Sequence, residues 1–169
     1  EACTYGYWER SDLRRVLDAV QPGPIVLLGT SLAAAVPPQE AADDPRVTGI
    51  VAAEVFSDLR TVARERAPAI LTEGTVRRAI ALAEEWGRFD IDRVSPVEAA
   101  ARIHVPVLLI HGASDVDTLP DHSRRVFVTL RGPKELVLIP GAGHNESLRS
   151  DDIWRRLEVW IERLLAGRS

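Results

Sequence analysis

The sequence predicts an α/β domain built on a mostly parallel sheet of four strands with flanking helices. Three observations carry this expectation. Four short runs rich in Ile, Val and Leu lie at 25–28, 47–53, 105–110 and 136–139. They lack the apolar–polar alternation of a half-exposed strand, so each is expected to be covered on both faces. Helical patterns separate them, and strands that alternate with helices favour a parallel sheet between helical layers.

The elements follow in order. Leu13, Val16, Leu17 and Val20 recur at helical spacing between Trp8 and Val20, and Gln21-Pro22-Gly23-Pro24 ends the pattern. Ile25 to Leu28 is the first strand. Small and apolar residues from Leu32 to Val36 start the next helix, where Pro37-Pro38 is expected to force a break, with helix resuming over 39–42. Asp44-Pro45-Arg46 leads into the strand at 47–53. Arg60 to Arg66 and Val76 to Trp86 read as helices punctuated by Pro68 and Gly74, and Gly87 to Pro96 as a loop. Val105 to Ile110 is the third strand and 122–130 a helix. Leu136 to Ile139 is the fourth strand. Ile153, Leu157, Trp160, Ile161 and Leu164 mark a strongly amphipathic closing helix.

A chain of 169 residues suffices for one compact domain, and one domain over 1–169 is expected. The stretch 57–102 exceeds what a plain connection between neighbouring strands needs. It is expected to form a small helical cap at the carboxyl ends of the strands, where ligands bind in such sheets.

With 46% hydrophobic and 27% charged residues, the composition is that of an ordinary globular protein, neither disordered nor fibrous. The net charge of −4 and the scattered arginine pairs argue against nucleic-acid binding. One cysteine closes no internal disulfide and builds no thiolate cluster, so no cofactor and no metal are expected. No apolar stretch approaches the ~20 residues of a membrane span, and a soluble, cytoplasmic protein is expected.

Ser31 stands one residue past Gly29-Thr30, between the first strand and a helix start. A serine on such a turn presents its hydroxyl outward, as a nucleophile elbow does. Serine needs a base, and the base needs a third group to hold its tautomer. His144, in Gly141-Ala142-Gly143-His144, follows the fourth strand, and Asp115, in the turn 111–115, follows the third. The Leu32 N–H, at the helix start, would face a developing oxyanion. Asp117 is an alternative acid, and Glu54 and Asp58 after the second strand are weaker ones. His111 is expected to satisfy backbone groups at a strand end, and His104 and His122 to lie on the surface. Trp154 and Trp160 are expected at the core or rim of the last helix, and Trp86 is a candidate wall of a substrate pocket.

Several segments carry a resemblance that covers essentially the whole chain. Tyr5-Gly6-Tyr7-Trp8-Glu9 with Asp12-Leu13 resembles the segment that opens the helix before an elbow, and Gly29-Thr30-Ser31-Leu32-Ala33 the elbow itself. Asp43-Asp44-Pro45-Arg46-Val47 resembles the lead into the following strand, and Phe56-Ser57-Asp58-Leu59 what comes after it. Pro106-Val107-Leu108-Leu109-Ile110-His111-Gly112 with Asp115 and Pro120 resembles an acid loop, and Pro140-Gly141-Ala142-Gly143-His144 a histidine loop. Together they resemble the carboxyl-terminal half of the α/β-hydrolase superfamily, in its prolyl-oligopeptidase-like and acyltransferase-like serine hydrolases.

The resemblance implies Ser31 as nucleophile, Asp115 as acid and His144 as base, acting on carboxylic ester or peptide bonds of small substrates through an acyl-enzyme. Three features depart from the pattern: Ala33 replaces the last elbow glycine, Pro37-Pro38 fall inside the second turn of the elbow helix, and the resemblance is to the carboxyl-terminal half alone, so the fold's amino-terminal half is expected to be missing. A second copy or the missing half is then expected to cover the first strand's edge. The alternative function is a non-catalytic hydrolase-like half serving as an assembly or binding module. A flavodoxin-like binding domain is a third reading, disfavoured by the Asp and His loops.

Overall fold

The computed structural model of the chain describes residues 3–167. Four strands, β1 (Ile25–Thr30), β2 (Val47–Ala53), β3 (Val107–Gly112) and β4 (Lys134–Ile139), form one sheet in the order β1-β2-β3-β4. Every neighbouring pair is parallel. All four carboxyl ends therefore reach the same rim, and that rim carries the candidate site.

Helices cover both faces. α1 (Glu9–Ala19), α2 (Val36–Ala41), α5 (Pro96–Ala100) and α6 (Pro120–Thr129) enclose a core that includes Leu17, Leu27, Ile50, Ile103, Leu109 and Val126. On the opposite face α7 (Asp151–Ala166) sets Ile153 and Leu157 against Val51, Leu108, Ile110 and Val137. Alternate residues of the central strands thus bury apolar side chains in opposite directions, which is why their sequences do not alternate in polarity. Ser150 starts α7 by accepting the Ile153 N–H, and Asp151 and Asp152 occupy its positive first turn. Burial of Leu157 and Ile153 contributes on the order of 1.5–3 kcal/mol each.

A third apolar cluster sits beyond the rim. α3 (Leu59–Glu65) and α4 (Glu73–Gly87) bring Leu59, Val62 and Ile80 against Phe56, Ile91 and Val94. Each helix starts on a side-chain cap, Asp58 accepting the Thr61 N–H and Thr72 the Thr75 N–H. The interval read as a loop after Gly87 holds a short 3₁₀ turn, Ile91–Arg93, followed by α5, which Ser95 caps.

The paired prolines do not interrupt a helix as expected. A 3₁₀ turn over Ser31–Ala35 comes first, and α2 begins at Val36, so Pro37 and Pro38 occupy its first turn. Proline's missing N–H has no intrahelical partner to lose there. The Gln39 side chain bonds back to the Ala35 carbonyl at 2.8 Å and ties the two turns together.

Candidate active site

Ser31 leaves β1 with φ of 53°, a left-handed conformation uncommon for a residue with a Cβ. The turn is tight: a Cβ on Gly29 would lie 2.3 Å from the Ala33 carbonyl oxygen, so only glycine fits. Ala33 raises no such conflict at the place where a third glycine is usual, because its side chain is exposed. The nucleophile candidate is therefore held by backbone geometry.

The structure brings the three expected residues together. Ser31 Oγ lies 2.7 Å from His144 Nε2, and His144 Nδ1 lies 2.7 Å from Asp115 Oδ2. Asp115 is buried, and its Oδ1 accepts the N–H groups of Asp117 and Thr118, both at 2.9 Å. With the carboxylate as acceptor, Nδ1 carries the imidazole hydrogen and Nε2 offers its lone pair to the serine. Asp117, the alternative acid, instead offers its backbone carbonyl to Arg66. Leu32 follows Ser31 at the start of the 3₁₀ turn and lines the adjoining cavity.

Both loops that carry the imidazole and the carboxylate are knitted by main chain. Ala113 N–H reaches the Ile139 carbonyl at 2.8 Å and Ser114 N–H the Ala142 carbonyl at 2.9 Å. A Cβ on Gly112 would come within 2.6 Å of the Ala142 and Gly143 carbonyl oxygens, so the loops touch backbone to backbone. Beneath them His111 is fully buried, its Nε2 2.8 Å from the Thr118 carbonyl and 3.3 Å from Asp115 Oδ2, its Nδ1 2.6 Å from Ser123 Oγ. Burial pushes the His111 pKa below its usual value, against the opposing pull of the Thr118 carbonyl and Asp115.

Glu54 plays no part as an acid toward His144. Its buried carboxylate accepts the N–H of Asn145 at 2.8 Å and of Ser147 at 3.2 Å, just past the imidazole. Asp58 caps α3. His122, expected at the surface, is instead fully buried: Nδ1 accepts the Ser57 N–H at 3.1 Å, which leaves Nε2 to donate to Glu65 at 2.7 Å. It joins α6 to α3 and the end of β2. His104 is exposed.

Ser31 opens onto a cavity of about 610 Å³ whose walls are mostly apolar, among them Leu59, Val62, Val76, Ile80 and Phe89. That volume lies within the usual range for small-molecule sites. Trp86 is not part of it and is 80% exposed, because it lies on the outer face of α4. Trp154 is partly exposed and donates its indole N–H to the Leu148 carbonyl, while Trp160 packs on the core. Arg66 is a wall residue that sequence reasoning missed. It directly follows α3, and its guanidinium reaches Asp117 O and Thr118 Oγ1, each at 2.7 Å, and lies 3.4 Å from His144 Nε2.

No protein-family model matches the chain. Over 127 residues it is 31% identical to an uncharacterized protein of Mycobacterium tuberculosis, a match that covers 75% of this chain and 40% of that protein. The chain thus spans about 40% of the length of the curated relatives it matches. Among solved structures it is similar to the esterase domain of a Rhodothermus marinus protein, with TM-score 0.67, 22% identity, and coverage of 91% of this chain and 68% of that one. Mouse alpha/beta hydrolase domain-containing protein 10 is similar at TM-score 0.70 and 22% identity, over 99% of this chain and 71% of that one. The monoacylglycerol lipase of Paleococcus ferrophilus is similar at TM-score 0.64 and 20% identity, over 95% of this chain and 77% of that one. With its four parallel strands and flanking helices, the chain has part of an α/β-hydrolase fold.

Proposed function

We propose that the chain provides the catalytic residues of a serine hydrolase acting on carboxylic ester or peptide bonds. One observation carries the reading: an unbroken relay from Ser31 through His144 to Asp115, two contacts of 2.7 Å, facing an apolar cavity.

In this reading Ser31 Oγ attacks the substrate carbonyl carbon while Nε2 takes the hydroxyl proton. The carbonyl oxygen becomes an oxyanion, and the Leu32 N–H donates to it. Asp115 stabilises the imidazolium across the Nδ1–H bond. Nε2–H then protonates the leaving group, the bond to it breaks, and the acyl group stays on Ser31. A water enters, loses a proton to Nε2 and releases the acid by the reverse sequence. α3 and α4 act as a cap whose apolar inner walls shelter the acyl group from water.

A fluorophosphonate probe tests the assignment. Labelling of the full chain is expected at Ser31 and is expected to disappear in Ser31→Ala. Asp115→Asn, which favours the wrong imidazole tautomer, is expected to lower kcat by about 10⁴. Labelling that persists in Ser31→Ala would remove the proposal.

A further inference from the structure

Among the described residues that wall the cavity, Arg66 is the one that is charged. All its polar partners are uncharged: the Asp117 carbonyl, the Thr118 hydroxyl and the His144 ring nitrogen. Among the described residues no carboxylate lies within ion-pair distance of it. Its neighbour Glu65 turns to His122, and Asp115 is engaged by His144 and two backbone N–H groups. A cation thus stands 3.4 Å from the nitrogen that receives the Ser31 proton. When that nitrogen is protonated, Asp115 balances the imidazolium across the Nδ1–H bond, and Arg66 is left beside it with no carboxylate of its own among the described residues.

We infer that the counter-charge for Arg66 comes with the substrate, and that Arg66 recognises a carboxylate or phosphate on the leaving group. The inference rests on the hydrolase reading above and refines its substrate class. Placement decides which half of the substrate bears the anion. Nε2 hands its proton to the leaving group, so a side chain against Nε2 stands on the leaving-group side. The acyl side is the apolar space under α3 and α4, walled by Val62, Val76 and Ile80. Arg66 spends Nε and one Nη2 hydrogen on Asp117 and Thr118. Its Nη1 bonds to none of the described residues and can form charge-assisted bonds with an incoming oxyanion. The fitting substrate is an apolar acyl chain esterified to an alcohol that carries an anion a few bonds from the ester oxygen.

Two matched pairs test this on the full chain. One is 3-carboxy-4-nitrophenyl octanoate against its neutral methyl ester. The other is a medium-chain acylglycerol phosphate against the corresponding acylglycerol. The readout is the ratio of kcat/KM for the anionic over the neutral member, in wild type, Arg66→Gln and Arg66→Lys. Wild type is expected to favour the anionic member by roughly tenfold or more, the scale of a charge-assisted hydrogen bond. That ratio is expected to fall to near one in Arg66→Gln and to survive in part in Arg66→Lys. Preference within the first pair alone identifies a carboxylate, and within the second alone a phosphate. Ser31-dependent turnover with a ratio near one in wild type, or an equal loss for both members in Arg66→Gln, overturns this inference and leaves Arg66 a brace between α3 and the acid loop. Absence of Ser31-dependent turnover for all four esters overturns the hydrolase reading, and this inference with it.

Discussion

Glu54 Oε2 accepts the Asn145 N–H at 2.8 Å, so a carboxylate at the end of β2 holds the residue that follows His144. Both residues have left-handed backbone, φ 59° and 60°, and the strain is concentrated where the imidazole is aimed. Glu54→Gln keeps the shape but turns one acceptor into an amide donor that faces a backbone N–H. A buried N–H left unpaired costs about 1–3 kcal/mol. The expected outcome is a fall in kcat of about tenfold or more at nearly constant KM, measured with a chromogenic ester. Lower thermal stability with unchanged kcat would make Glu54 a brace of the fold alone.

Gly29→Ala is expected to damage the elbow. The added methyl meets the Ala33 backbone, which has no flexible side chain to move aside. Overpacking of this kind costs roughly 1–3 kcal/mol, occasionally more. Denaturant melts should show that loss together with slower probe labelling of Ser31. A variant with wild-type stability and labelling would contradict the geometry.

Acid sensitivity follows from His111. Burial lowers its folded-state pKa below the ordinary histidine value. Below about 6.5 the unfolded chain binds a proton that the folded chain refuses, so unfolding is favoured as pH falls. The contribution is complete above that pH and is lost progressively down to the lowered folded value. Chemical denaturation between pH 7.5 and 5.5 should show stability decreasing, and His111→Gln should flatten that slope. An unaltered slope would assign the pH dependence to other groups.

Ala79 and Ala83 lie one turn apart on α4 and line the cavity. Ala83→Phe should fill the proposed acyl space while leaving the Ser31 rim untouched. Relative to wild type, octanoate esters are expected to lose at least tenfold in kcat/KM against acetate esters, since each buried CH₂ is worth about 0.8 kcal/mol. Equal losses for both would place the acyl chain elsewhere.

Much of this arrangement was legible because strand runs and loop residues are local signals. β2 has the bounds its apolar run suggests. β3 starts at Val107, two residues later than expected, since Pro106 has no N–H to give the ladder. β4 reaches back to Lys134 because an edge strand tolerates polar residues beside Val107 and Leu108. The relay residues were legible from strand ends and glycine-rich turns. Arg66 and His122 were not. Their partners lie 51 to 78 residues away in sequence, and the contacts exist only once α3 folds over the rim. Glu54 was visible as a carboxylate after a strand, but the part it plays depends on a loop more than 90 residues downstream.

The contact at Gly112 has a wider meaning. Spacing between imidazole and carboxylate is set by two lengths of main chain pressed together, whereas the cavity beside Ser31 is shaped largely by side chains of α3 and α4. In the proposed hydrolase, chemistry and selectivity would thereby be mechanically uncoupled, and remodelling the cavity to admit other acids is expected to leave Ser31, His144 and Asp115 in register.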